Sequence, residues 1–207
     1  GSYSPASKSY TPRSSLPVYA RQAFPAALVG ENAADPKSAG VTVEENDSIR
    51  LWHQNDGILI ASFKTKMNTI GPDVLDGLQK AVAIAEKDYS GLVIWQPGSL
   101  SGGPFSAGAD LQAAMPLFMS GGAKAVEPFV KKFQDTAMCL KYAQVPVVAA
   151  LAGLALGGGV ETAIHCAHRV AHLETYMGLV ELGVGLVPAG GGLKEAALRA
   201  ARDGGAY

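Results

Sequence analysis

The feature that most constrains this chain is a recurring join. Short segments, apolar on both faces, run into glycine-rich turns and then into helical patterns. Val145-Pro146-Val147-Val148-Ala149-Ala150-Leu151 is one such segment, leading to Gly157-Gly158-Gly159 and a helix predicted from Val160 to about His168. Gly91-Leu92-Val93-Ile94-Trp95 is another, running into a glycine-rich loop that extends through Gly108. A strand buried on both faces needs helices above and below it, which is how parallel sheets are built. The pattern therefore predicts an α/β fold with helix-covered sheets. Ser48–His53 alternates and reads as a strand, and Gly57–Phe63 as a second, more buried one. Asn55-Asp56-Gly57 between them has hairpin-turn composition. Pro72 opens a helix with Val74, Leu75, Leu78, Val82 and Ala85 on its apolar side. Leu111 to about Ser120 reads as helical with an interruption at Pro116, and Pro128–Tyr142 as an amphipathic helix. Arg169–Leu173 reads as a short strand, and no sequence repeat points to a solenoid.

Composition narrows the function classes. With 48% apolar and 17% charged residues the chain can build a core. Its 17 basic and 18 acidic side chains lack the basic surplus of a nucleic-acid binder. No apolar run is long enough to span a bilayer and the opening residues do not form a secretory signal, so a cytoplasmic, soluble protein is expected. Cys139 and Cys166 sit in apolar surroundings and read as buried reduced thiols. Residues 1–45 stand apart. Pro5, Pro12, Pro17, Pro25 and Pro36 fall among Ser, Ala and Lys, which reads as a linker or arm. Gly1-Ser2 looks like a scar of tag cleavage, and the arm suggests a piece cut from a longer polypeptide.

Three segments carry candidate chemistry. In Pro104-Phe105-Ser106-Ala107-Gly108-Ala109-Asp110-Leu111, small residues would let a ligand approach the main chain, and Asp110 stands where a helix N-cap would. An ordinary turn is the alternative. In Leu156-Gly157-Gly158-Gly159-Val160-Glu161, amides at a helix N-terminus could hold a developing negative oxygen, with Glu161 in the first turn. Here the alternatives are that Glu161 merely caps its helix, or that the glycines cradle a phosphate. Neither the P-loop ending nor the dinucleotide spacing is met. In the segment from Gly178 to Gly192, Glu181 lies within an apolar, glycine-rich stretch. Burial there would raise its pKa as a general acid requires, and a surface acid on a loop is the alternative.

Together, Phe-Ser-Ala-Gly-Ala-Asp-Leu, Ala-Leu-Gly-Gly-Gly-Val-Glu and Glu-Leu-Gly-Val-Gly-Leu-Val-Pro-Ala-Gly-Gly-Gly, with two glutamates 20 residues apart, resemble the crotonase (enoyl-CoA hydratase/isomerase) superfamily over residues 46–200. Lys66-Met67-Asn68 matches the family's early substrate-binding segment. The resemblance implies a crotonase spiral of β-β-α turns over 46–207. It makes Ala109 and Gly158 the oxyanion-hole amides, Glu161 and Glu181 the catalytic acids, and Lys66, Ala107 and Asp110 part of the CoA and acyl channel. It implies hydration of 2-enoyl-CoA thioesters in fatty-acid β-oxidation, since hydratases keep both acids, with isomerisation the alternative. No cofactor beyond the CoA thioester substrate and no metal are implied. Leu16–Pro25 resembles the segment joining an upstream 3-hydroxyacyl-CoA dehydrogenase, which would use NAD, to a crotonase domain in bacterial fusion enzymes. Family members continue past position 207 with helices that close the acyl pocket, so a C-terminal truncation is expected, with homo-oligomer formation left open.

Two readings from other classes compete. One is a non-catalytic module binding acyl-CoA or a partner domain, against which the two glutamates argue. The other is a zinc site from Cys139, His165, Cys166, His168 and His172, whose spacing matches no tight ligand pair. His53, Trp52 and Trp95 read as core or surface residues.

Overall fold

The computed structural model describes residues 3–10 and 39–202. The proline-rich stretch over 11–38, the Gly1-Ser2 pair and residues 203–207 lie outside the described residues. The chain divides into two units, 1–39 and 40–207. In the first, Tyr3–Ser4 (β1) and Ser9–Tyr10 (β2) pair antiparallel.

The second unit is built on a sheet of six strands. Val41–Glu45 (β3), Ile49–His53 (β4) and Ile58–Phe63 (β5) form an antiparallel meander. Gly91–Trp95 (β6), Val147–Leu151 (β7) and His168–Ala171 (β9) then extend it in parallel, in the order β3-β4-β5-β6-β7-β9. Val41–Glu45 closes the 1–45 segment. As an edge strand with Val41 and Val43 exposed it carries no inward apolar alternation to announce it.

The parallel strands need crossovers, and helices supply them. Pro72–Asp88 (α1) lies between β5 and β6 in the chain and buries Val74, Leu75, Leu78, Ala81, Val82 and Ala85. These pack with Leu59, Ala61, Leu92 and Ile94 of the sheet in one core. A fully buried leucine contributes about 1.5–3 kcal/mol relative to an exposed one, so each leucine of this layer stabilises the fold by that order. Trp52 is fully buried, and its indole N–H donates to Ser62 Oγ at 3.0 Å, while that hydroxyl donates to the Trp95 carbonyl at 2.7 Å. The polar edge of the ring is thus satisfied inside the core.

Leu111–Lys141 (α2) joins β6 to β7. The expected interruption at Pro116 is not where the helix breaks. Both Pro116 and Pro128 lie inside it, and the break falls at Gly122, at φ 63° and ψ −156°. Proline removes one hydrogen bond but keeps a helical φ, whereas that Gly122 conformation is open only to glycine. After β7 come two elements too short to show a period, Leu154–Leu156 (β8) and Tyr176–Gly178 (β10), which pair in parallel as a separate ladder. Gly158–His165 (α3) follows β8, and Gly192–Arg202 (α4) ends the described chain.

Candidate active site

The first candidate segment is held from both sides. Ser106 N–H donates to the Leu154 carbonyl at 3.1 Å, and Leu156 N–H returns a bond to the Ser106 carbonyl at 2.9 Å, tying the loop to β8. On the other side, Ala107 N–H donates to Met67 O, Ile70 N–H to Gly108 O and Asp110 N–H to Ile70 O, at 3.1, 2.8 and 3.0 Å. Asp110 caps α2 as its sequence position predicts, its Oδ1 accepting from Ala113 N–H at 3.2 Å. Ala109 N–H is skipped by this pattern and donates to no group among the described residues.

The second segment turns sharply. Gly157 takes φ 49°, a left-handed conformation that a side chain would strain, and Gly158 opens α3. The first amide of a helix has no carbonyl partner within it. Here it faces the orphan amide of the loop: a Cβ built on Gly158 would stand 3.2 Å from Ala109 N, and one built on Gly108 3.3 Å from Gly158 N. The fold therefore brings two backbone donors, 49 positions apart in the chain, to one spot.

Both glutamates reach the same cavity, of about 270 Å³, together with Ala107, Ala109, Gly158 and apolar side chains from α2. Glu161, in the first turn of α3, is 3% exposed. Its Oε1 accepts from Gly192 N–H at 2.8 Å. Burial pushes its pKa above the usual carboxylate range. The Gly190–Gly192 amides pull the other way and the Glu181 charge adds to the rise. Glu181 begins a tight 3-10 turn, Glu181–Val184. Its carboxyl lies against Gly157, where an added Cβ would be 3.0 Å from Oε1, and its Oε2 is buried with no hydrogen-bond partner among the described residues. The apolar neighbours that suggested burial around Glu181 are themselves exposed, Leu182 at 79% and Val184 at 62%. Deep burial belongs to Glu161 instead.

Of the residues the resemblance assigns to the channel, Ala107 is in the cavity wall, whereas Lys66 and Asp110 are not. Lys66 is exposed and starts the 3-10 turn Lys66–Asn68, whose Met67 and Asn68 take positive φ. Phe133 was not singled out from the sequence, and the Gly190–Gly192 turn entered only as the end of the third motif, with no role of its own. A Cβ on Gly190 would meet Glu161 Oε2 and Phe133 within 2.8 Å, so this turn must be free of side chains to lie against the carboxylate. The run of three glycines was the available signal. Among the described residues no group of three or more His, Cys, Asp or Glu could hold a metal. His165 Nδ1 and Cys166 Sγ instead meet carbonyls one turn back in α3. Burial pushes the Cys166 thiol up to about 12, so it stays protonated.

Two orphan amides and two carboxyls thus converge on one apolar cavity in a fold of mixed sheet and crossover helices. The chain belongs to the enoyl-CoA hydratase/isomerase family, whose profile matches residues 57–203. It is 37% identical over 162 residues to the "Probable 3-hydroxyacyl-CoA dehydrogenase" of Bacillus subtilis, an alignment covering 78% of this chain and 20% of that one. It is 35% identical over 155 residues to the mitochondrial methylglutaconyl-CoA hydratase of Mus musculus, covering 72% and 48%. The crystal structure of an enoyl-CoA hydratase from Thermoplasma volcanium superposes with a TM-score of 0.60 at 27% identity, covering 71% of this chain and 57% of the other. The chain thus spans between a fifth and about half the length of these curated relatives. Among the described residues no helix is long and apolar enough to cross a membrane.

Proposed function

We propose that the protein adds water to 2-enoyl-CoA thioesters in fatty-acid β-oxidation. The observation that carries this reading is the convergence of the Ala109 and Gly158 amides with the Glu161 and Glu181 carboxyls on one cavity. The thioester carbonyl would sit between the two amides. As a hydroxide equivalent forms its C–O bond at the β-carbon, the C=C π pair moves toward the carbonyl and negative charge collects on the thioester oxygen. Each preorganised donor is worth about 3–4 kcal/mol to that charge. One glutamate takes the proton of the attacking water and the other delivers a proton to the α-carbon, so the product is the neutral 3-hydroxyacyl thioester. No redox group enters the balance. Ala107 would border the acyl thioester, with Lys66 and Asp110 further along the CoA path.

That product is the substrate of a 3-hydroxyacyl-CoA dehydrogenase, and the short coverage of the Bacillus relative supports a place for this chain as the hydratase module of a longer, NAD-using polypeptide. Incubating the chain, and a longer form extended at both ends, with crotonyl-CoA tests the reading. Loss of the conjugated enoyl-thioester absorbance with accumulation of 3-hydroxybutyryl-CoA is expected. Migration of the double bond without water uptake, or binding without turnover in both forms, overturns it.

A further inference from the structure

Outside the cavity, the least ordinary group in the described chain is Glu195. It is 1% exposed and sits in the first turn of α4. Its Oε2 accepts from Lys141 Nζ, at the end of α2, at 2.6 Å, and its Oε1 from Arg199 Nε, one turn along α4, at 3.2 Å. Arg199 also donates through Nη2 to the Ile164 carbonyl of α3 at 2.7 Å. This trio joins three helices. Among the described residues helix α4 has few other anchors: Gly192 and Glu195 are its only buried residues, Leu193 and Leu198 are exposed, and Lys194 makes an exposed contact to Met138 Sδ at 3.3 Å. Yet Gly192 is the residue whose N–H holds the Glu161 carboxylate, and Glu195 N–H closes the turn onto the Gly191 carbonyl at 3.0 Å.

We propose that Glu195 is a positioning residue for Glu161: its ion pairs with Lys141 and Arg199 hold the N-terminus of α4 so that the Gly192 amide keeps the Glu161 carboxyl aimed into the cavity. The inference rests on the reading of Glu161 as one of the two acids. A helix of this size with an exposed apolar face is not fixed by hydrophobic burial, so the ionic clamp decides where its first amides point. Buried ion pairs serve geometry better than stability, and here the geometry is that of a reacting carboxyl.

The charged groups around the two carboxyls make the test decisive by sign. Glu161 is faced by Glu181, and Glu195 by Lys141, Arg199 and His165. In Glu195→Gln, removing a negative charge and freeing two cations would by direct electrostatics make Glu161 easier to ionise. Loss of positioning does the opposite, because the ionised form loses its Gly192 N–H bond. The experiment is a carbon-detected NMR titration of the Glu161 carboxyl in the chain and in Glu195→Gln, with amide exchange of Gly192 measured alongside. Because Lys141 and Arg199 are partly exposed and can turn to solvent, the variant should fold, and Glu195→Asp provides a shorter carboxylate as a second variant. The expected result is a higher Glu161 titration point and faster Gly192 exchange in Glu195→Gln, both partly restored in Glu195→Asp. In the crotonyl-CoA assay kcat should fall about ten- to a hundredfold, with KM nearly unchanged, as for a displaced reacting group. An unchanged or lowered titration point overturns the proposal. Full activity of Glu161→Gln would instead sink the reading of Glu161, and the titration would still report on the clamp.

Discussion

Glu161 and Glu181 are unlike despite sharing a cavity. Glu161 is enclosed by α3, Phe133 and the Gly190–Gly192 turn, and its carboxyl is held by a backbone amide. Glu181 rides on a short turn whose other side chains face outward, with one carboxyl oxygen shielded and without a hydrogen-bond partner among the described residues. Such a pair suits two proton transfers of opposite direction, since neither oxygen set is fully committed to the protein. Glu161→Gln and Glu181→Gln should therefore each lower kcat for crotonyl-CoA by at least about a hundredfold, with KM changed by less than about threefold. Steady-state kinetics across substrate concentration separates the two parameters. A variant that raises KM while kcat holds would mean that the side chain binds the thioester rather than reacting with it.

Two short elements place the backbone donors, and each offers its own test. The loop over 104–110 is pinned between β8 and the turn at 66–70, and Asp110 ends it by capping α2. Asp110→Ala should cost about 1 kcal/mol of stability, the usual loss for an N-cap, while Asp110→Asn should cost little. Chemical denaturation measures both. At the start of α3 the proposed hydration would seat the thioester oxygen beside Gly158 N. Gly158→Ala would put a methyl 3.2 Å from Ala109 N and 3.0 Å from Phe133 Cζ. Its turnover should drop about a hundredfold or more, the loss seen when one oxyanion donor is put out of use. Circular dichroism matching the parent would show that the fold is kept.

Across the molecule the buried carboxyls link the site to stability with opposite signs. Glu161 has its pKa raised by burial, so the stability it contributes is full below the usual carboxylate range and is lost as pH rises through its elevated value. Burial also pushes the Glu195 carboxyl up, but the Lys141 hydrogen bond and charge, with Arg199 and His165, outweigh it and hold the pKa below the usual value. Its contribution is present above the ordinary range and is lost as pH falls through the lowered value. Glu161→Gln should accordingly melt higher than the parent at neutral pH, with the gap closing below the ordinary carboxylate range. Thermal melts across pH check this, and an equal gap at all pH values would mean that ionisation of Glu161 does not weigh on the fold. With Glu161 as one of the two acids of the proposed reaction, activity and stability are set against each other at this position.

Much of this was legible in the chain because it is local. The strands at 49–53, 58–63 and 91–95 follow from apolar runs and turn residues, the α1 start from Pro72, and the cap from Asp110. The motif order around Glu161 and Glu181 was enough to indicate the family. The break in α2 was misplaced to Pro116 because proline is the louder local signal, while Gly122 takes its left-handed backbone in context. The three-residue strands β8 and β10 have no period to read and exist because each finds the other. Most of all, the environment of Glu161 depends on an amide 31 residues away, and the clamp behind that amide on a lysine 54 residues from Glu195. The family resemblance carried by the three motifs is what marks the two glutamates and the two amides as candidates. Which acid is enclosed, and what holds it, is decided by contacts between distant segments, whose energies appear only once packing has excluded water from between them.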